Sequence, residues 1–154
     1  MGDLREPSAR IGHWVGDVHQ PLHVSFEDDR GGNNVHVSGE CDSNMHSTWD
    51  TCLVEAAVGK DFQDAADKLG KLITEAQKQK WTKSDPKEWA NESFKITESV
   101  QTKYCVKHGG NCEKPPGGVK IDQTYIDANV PIVKEQLQKA GIRLAGLLDK
   151  ALDQ

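Results

Sequence analysis

The sequence predicts a mainly α-helical bundle carrying one small β element. Three observations lead there: apolar residues recur at helical spacing through most of the chain, Ser, Asp and Asn caps and Gly or Pro stops punctuate those stretches, and one short run alternates like a strand. Residues 7–20 form the first predicted helix, with Ser8 as its cap and Ile11, Trp14, Val15 and Val18 as an apolar stripe. From Val24 to Asp42 the composition turns to Asp, Gly and Asn, and within it residues 34–39 alternate, which predicts a single strand or half of a small hairpin. Helix resumes near Asn44 and runs to about Val58, where Gly59 stops it. Asp61 caps a helix reaching about Lys80, with Phe62, Ala65, Ala66, Leu69, Leu72 and Ile73 on one side. Ser84-Asp85-Pro86 sets a cap and a first-turn proline at the start of a helix to about Lys107. Residues 108–118 are loop by their Gly and Pro content, and a short helix follows near 121–128. Pro131 is then an early residue of the last helix, which keeps helical period from Ile132 through Leu148 and ends near Leu152.

Residues 1–154 suit a single domain with a workable core. The hydrophobic fraction of 36% is low, and the mean hydropathy is −0.67. No apolar run approaches the length of a membrane span, and Gly-Asp-Leu-Arg after Met1 is no apolar leader. Neither a signal peptide nor a membrane anchor is therefore expected within this chain. A net charge of −5 argues against gripping phosphates through a broad basic surface. Divalent ions would supply the positive charge that such a surface lacks.

The chemistry concentrates in His13-Trp14-Val15-Gly16-Asp17-Val18-His19-Gln20-Pro21-Leu22-His23 and in Asn44-Met45-His46-Ser47-Thr48-Trp49-Asp50. His13 and Asp17 stand four positions apart, so on a helix both leave the same face, and His46 and Asp50 repeat the spacing. Pro21 cannot continue a helix and turns the chain so that His23 swings back toward the same place. Imidazole nitrogen and carboxylate oxygen are the usual ligands of catalytic zinc, where three protein groups leave a fourth position for water. The pattern predicts a zinc hydrolase with His13, Asp17, His23, His46 and Asp50 as ligands. His19 projects away from Asp17's face and is read as bonding backbone or packing. His36 and His108 default to solvent. For Trp14 and Trp49, packing that shields the site is favoured over stacking on bases. Gly31-Gly32-Asn33 suits either a close approach to substrate or a plain tight turn.

Taken with Gly31-Gly32-Asn33 between them, these two segments resemble the S1/P1 nuclease family, densest over residues 11–50 and more diffuse toward the C-terminus. The resemblance implies a helical bundle of the P1 nuclease/phospholipase C type with its small β element near the metal site. It also implies secreted or lumenal, zinc-dependent enzymes that cut single-stranded DNA or RNA to 5′-phosphate products and remove phosphate from 3′-nucleotides. By the same resemblance Asp17 is catalytic, as the carboxylate shared between zinc ions, while His23, His46 and Asp50 together hold one zinc. A complete family enzyme holds three zinc ions and draws further ligands from upstream, including its processed N-terminal residue. Only twelve residues precede His13 here, and they contain no His. The chain is therefore expected to be an incomplete domain lacking its N-terminal part, with one full zinc site and parts of others, and to be inactive or nearly so alone. No stable protein partner is expected. The alternatives are a zinc phospholipase C-like phosphodiesterase and a non-catalytic zinc-binding module.

An even number of cysteines, together with secreted relatives, favours two disulfides among three connectivities. Cys41 and Cys52 flank the second ligand motif, and Cys105 and Cys112 flank a Gly-Gly-Asn turn, so two local bridges are favoured. Reduced thiols and zinc ligation are the rivals, the latter weakened because no Cys-x-x-Cys pair exists. Asn91-Glu92-Ser93 is a glycosylation acceptor pattern whose weight rests on the secreted reading.

Overall fold

The longest helix, α7 (Gln123–Leu152), is the spine on which the rest packs. The computed structural model describes residues 5–41, 43–108 and 111–152. Along α7 lie α1 (Arg5–Val18), α3 (Leu53–Val58), α4 (Phe62–Lys71) and α5 (Glu75–Trp81), while α6 (Pro86–Thr97) packs on α1 and on a 3₁₀ turn at Pro21–Val24. The fold is mainly α, and no described helix is long and apolar enough to cross a membrane.

α7 corrects the expectation of two helices meeting at Pro131. Proline in a helix interior removes one hydrogen bond and crowds the preceding turn. Here buried side chains lie on both sides of it, Tyr125 and Asn129 before and Val133, Gln136 and Arg143 after. Packing of that length outweighs the local penalty, so the helix runs through.

α1 begins at Arg5, which sets Ser8 inside the helix rather than at its cap; the Ser8 side chain lies outside the described residues. The helix stops at Val18, two residues short of the expected end. Of its apolar stripe Val15 is buried, whereas Ile11 and Trp14 face solvent. The helix expected over 61–80 is two. Asp61 caps α4 as read, but Thr74 and Gln77 exchange side-chain and backbone hydrogen bonds and open α5 anew. Of the expected apolar side only Ala65 is buried, and Phe62 and Leu72 are exposed.

Asp85 and Glu88 form the same reciprocal box at the start of α6, with Pro86 in the first turn as expected. Asp85→Ala is expected to cost about 1 kcal/mol, read as a lower urea midpoint with an unchanged slope. α6 ends at Thr97, ten residues before the expected end. The Thr102 hydroxyl donates to the Thr97 and Ser99 carbonyls, and Lys103 adopts a left-handed φ of 51°. Side-chain capture of the last carbonyls competes with helix continuation.

The β elements are short. β1 (Val37–Gly39) lies in the expected run, but its partner is β4 (Val119–Ile121), parallel and in register Val37 with Val119. It is therefore not half of a hairpin. A separate antiparallel pair, β2 (Val106–His108) and β3 (Asn111–Glu113), replaces an expected helix end and part of an expected loop; Gly109 and Gly110 lie outside the described residues. Both favoured disulfides form: Cys105–Cys112 closes this hairpin, and Cys41–Cys52 joins the chain beyond β1 to the segment at residues 48–52. The core beneath that segment comprises Leu22, Met45, Trp49, Leu53, Tyr104, Ile121 and Tyr125.

Candidate metal centre

Three short pieces of backbone deliver the site. On the last turns of α1, His13 Nε2 and Asp17 Oδ2 are 3.2 Å apart, one helical turn from each other. The helix then breaks. Pro21 sits in the first position of the 3₁₀ turn, with Gln20 as its cap. That bend returns His23 to α1, where its Nδ1 lies 3.2 Å from Asp17 Oδ1. One carboxylate thus stands between two imidazoles.

The second arm begins at Asn44, whose side chain caps α2 (Met45–Ser47) and accepts from Ser47 N–H. The helix continues as a π segment, Thr48–Cys52, in which Leu53 N–H donates to Thr48 O, and then as α3 to Val58, with Gly59 as its C-cap. The expected helix from Asn44 to Val58 is therefore present with a π turn inside it. His46 Nε2 and Asp50 Oδ2 are 3.3 Å apart, and His23 Nε2 is 3.1 Å from Asp50 Oδ1. The His23 and His46 rings stack at 4.9 Å between centroids. One donor atom from each of His23, His46 and Asp50 lies within 4.8 Å of the others.

Hydrogen bonds fix which nitrogens face inward. The Gly31 carbonyl can only accept, so His46 Nδ1 donates to it at 2.8 Å and Nε2 keeps its lone pair toward Asp50. His23 presents Nδ1 to Asp17 and Nε2 to Asp50. Its pKa is raised, foremost by the hydrogen bond to Asp50. Burial would raise Asp50, but hydrogen bonds from His23 and Gln20 outweigh it and hold the carboxyl below its ordinary value. Both shifts favour positive charge between these groups. With side-chain exposures of 27% for His23, 22% for His46 and 37% for Asp50, water and a ligand reach the site. Two imidazole nitrogens and one carboxylate oxygen, converging and open on one side, fit a catalytic zinc.

The glycines serve the protein's own backbone. At Gly31, φ is 64° and a Cβ would stand 2.5 Å from Leu22 O; at Gly32, φ is 83°. The loop is pressed against the 3₁₀ turn, which lets the Gly31 carbonyl meet His46. Asp29 holds the same loop from inside, accepting from Gly32 N–H and from the Tyr104 hydroxyl, whose pKa burial raises.

Beneath the bend lies a polar network. His19 Nδ1 donates to Val15 O at 2.6 Å, and its Nε2 accepts from Arg143 at 2.8 Å. Burial first, and then Arg143, lowers its pKa to about 4. Gln136 donates to His19 O, Ser93 to Val18 O and Thr97 to Pro21 O, so α6 and α7 grip the exit of α1. His19 thus packs and bonds backbone as expected.

Trp49 is buried and donates to the Tyr125 hydroxyl, the packing role foreseen for it. Trp14 departs from that expectation: it is 75% exposed, one turn before Asp17, and borders a cleft of about 780 Å³ with Asp17, His23, Phe26 and Arg30. Asn91 is exposed on α6, and His36 is exposed directly before β1; the His108 side chain lies outside the described residues. Sequence reasoning missed Gln20, whose amide donates to Asp50 Oδ1 at 2.7 Å. A polar residue directly before the helix-ending proline was the available signal.

The sequence model of the S1/P1 Nuclease family matches residues 5–153. The chain belongs to the S1/P1 nuclease family. Among family members, Endonuclease 2 of Arabidopsis thaliana is 31% identical over 96% of this chain and 52% of its own length. Nuclease S1 of Aspergillus oryzae is 30% identical over 89% of this chain and 51% of its own. Nuclease P1 of Penicillium citrinum is 25% identical over 90% and 54%. The chain spans about half the length of the curated relatives it matches.

Proposed function

We propose that this chain serves the zinc-dependent hydrolysis of phosphoester bonds in single-stranded DNA or RNA and in 3′-nucleotides. The observation that carries the reading is the convergence of His23, His46 and Asp50 from two separate segments. The names of the relatives, endonuclease and nuclease, support the reaction class. In this reading those three residues hold one zinc, and His13 and Asp17 offer donors to a second, with Asp17 the carboxylate shared between ions. Bound zinc supplies Lewis acidity and water that ionises near neutral pH. The chain's own groups do the rest. Gly31 O fixes the His46 tautomer, Asp17 orients His23, and the open cleft beside Trp14 and Arg30 admits a flexible strand. The disulfides and the exposed Asn91 support secretion and glycosylation as part of the same proposal.

His13 and Asp17 are two donors, fewer than the three a catalytic zinc takes from protein. The 154-residue chain alone is therefore expected to bind a labelled single-stranded oligonucleotide when loaded with zinc and to turn it over weakly or not at all. Fluorescence anisotropy with and without chelator measures the first, and product release on a gel the second. Equal binding by loaded and chelated protein would overturn the function. Steady zinc-dependent turnover would overturn the expectation of inactivity while supporting the function.

A further inference from the structure

We propose that Gln20 is a positioning residue of this metal centre, holding Asp50 so that one carboxylate oxygen is occupied and the other is presented to the ion. The inference rests on the zinc reading above and concerns how the centre is shaped. Gln20 caps the 3₁₀ turn: its Oε1 accepts from the Leu22 N–H. A backbone N–H only donates, so that contact identifies the carbonyl end of the amide, and the end 2.7 Å from Asp50 Oδ1 is the NH₂ group. The backbone is anchored on both sides of Gln20, His19 O by Gln136 at 2.9 Å and Pro21 O by Thr97 at 2.6 Å. With its own carbonyl tied down and its neighbours held by α6 and α7, the Gln20 side chain is a fixed strut from the end of α1 to the π segment. It takes up Oδ1, which also lies 3.1 Å from His23 Nε2, and Oδ2 faces His46 Nε2. Ligation through one oxygen keeps the coordination number low and leaves a position for water. Without the strut, the partly exposed Asp50 is free to rotate and to chelate through both oxygens.

Gln20→Glu and Gln20→Met in the 154-residue protein test this by zinc affinity, from competition with a chromogenic chelator, and by the visible spectrum of the cobalt(II) form. Glutamate keeps an oxygen for Leu22 N–H, so the turn stays capped, and replaces the NH₂ donor by a carboxylate oxygen that repels Asp50. Methionine removes both ends at similar length. Zinc affinity is expected to fall roughly 10–100-fold in each. The intense absorption of low-coordinate cobalt is expected to weaken in Gln20→Met as both oxygens bind, and the metal-free Gln20→Glu protein is expected to keep the wild-type circular dichroism. Wild-type affinity and spectrum in Gln20→Met would overturn the role of Gln20 and leave the metal centre standing. A Gln20→Glu affinity loss accompanied by loss of the native circular dichroism in the metal-free protein would also overturn it, because the turn and not the donor would then be at work. Wild-type protein that takes up neither zinc nor cobalt would overturn the metal centre and this inference together.

Discussion

Asp50→Asn is expected to lower the zinc affinity of the chain by more than about 100-fold, beyond the range typical of losing a hydrogen-bond partner of a ligand. Asp50 is the anionic donor of the converging trio, and both its oxygens face imidazole nitrogens. Asparagine keeps the volume and removes the charge. A neutral amide leaves two imidazoles to draw a dication out of water, and the Gln20 NH₂ then confronts an amide it satisfies less well. The substitution leaves the fold intact, because Asp50 is partly exposed and the π segment is anchored by Trp49 and Cys52 instead. A metal-free urea midpoint near that of the wild type checks this. The His23 resonance supplies a second readout: with its largest upward influence removed, its titration is expected to move down toward the ordinary histidine value. His36→Ala is the control, since His36 is exposed and outside the trio, and its zinc affinity is expected to match the wild type. Zinc binding by Asp50→Asn within about tenfold of the wild type would place the metal elsewhere.

Where the site was readable, helix geometry made it so. The spacing of His13 to Asp17 and of His46 to Asp50 translates one residue count into one side-chain distance, and 3.2 and 3.3 Å follow. The bend at Pro21 was likewise readable, because proline removes its own donor whatever surrounds it. The contact of His23 with the second arm is a different matter. It depends on the Gly31–Gly32 loop pressing against Leu22, which no local rule specifies. The same holds for β1, whose partner lies far along the chain: a three-residue parallel pairing gains its stability from the core around Val37 and Ile121, not from its own composition. α7 ignores its proline for a similar reason, and Trp14 is exposed although its spacing allowed burial. In each case the deciding free energy lies in packing between segments. The apolar stripes of α1 and α4 are only partly buried, because period alone cannot tell how much of a face finds a partner.

The protein is expected to lose about 2.5 kcal/mol of stability through His19 as the pH falls from about 7.5 to about 4.5. His19 is buried, neutral and held in one tautomer, with Val15 O accepting from Nδ1 and Arg143 donating to Nε2. A second proton would have to displace the Arg143 hydrogen bond and set two cations side by side. Folding therefore brings the pKa from 6.5 to about 4. A group whose folded pKa is depressed binds more protons when unfolded, so its contribution is intact above 6.5 and is lost progressively down to about 4. Glu92 and Lys139 also border this network. Burial would raise Glu92, but the Arg143 hydrogen bond outweighs it and holds its pKa below the ordinary 4.5, so its own loss begins only at the low end of the window used here. His23 works with the opposite sign, its pKa being raised, and gives stability back as the pH falls. The number to read is thus the difference in pH dependence between the wild type and His19→Gln, from urea unfolding of metal-free protein at each pH. Glutamine cannot titrate, so the variant's stability is expected to decline about 2.5 kcal/mol less over the interval, whatever its level at neutral pH. Parallel curves for the two proteins would mean that His19 accepts its proton in the folded state, and that Arg143 does not hold the end of α1 in the way described.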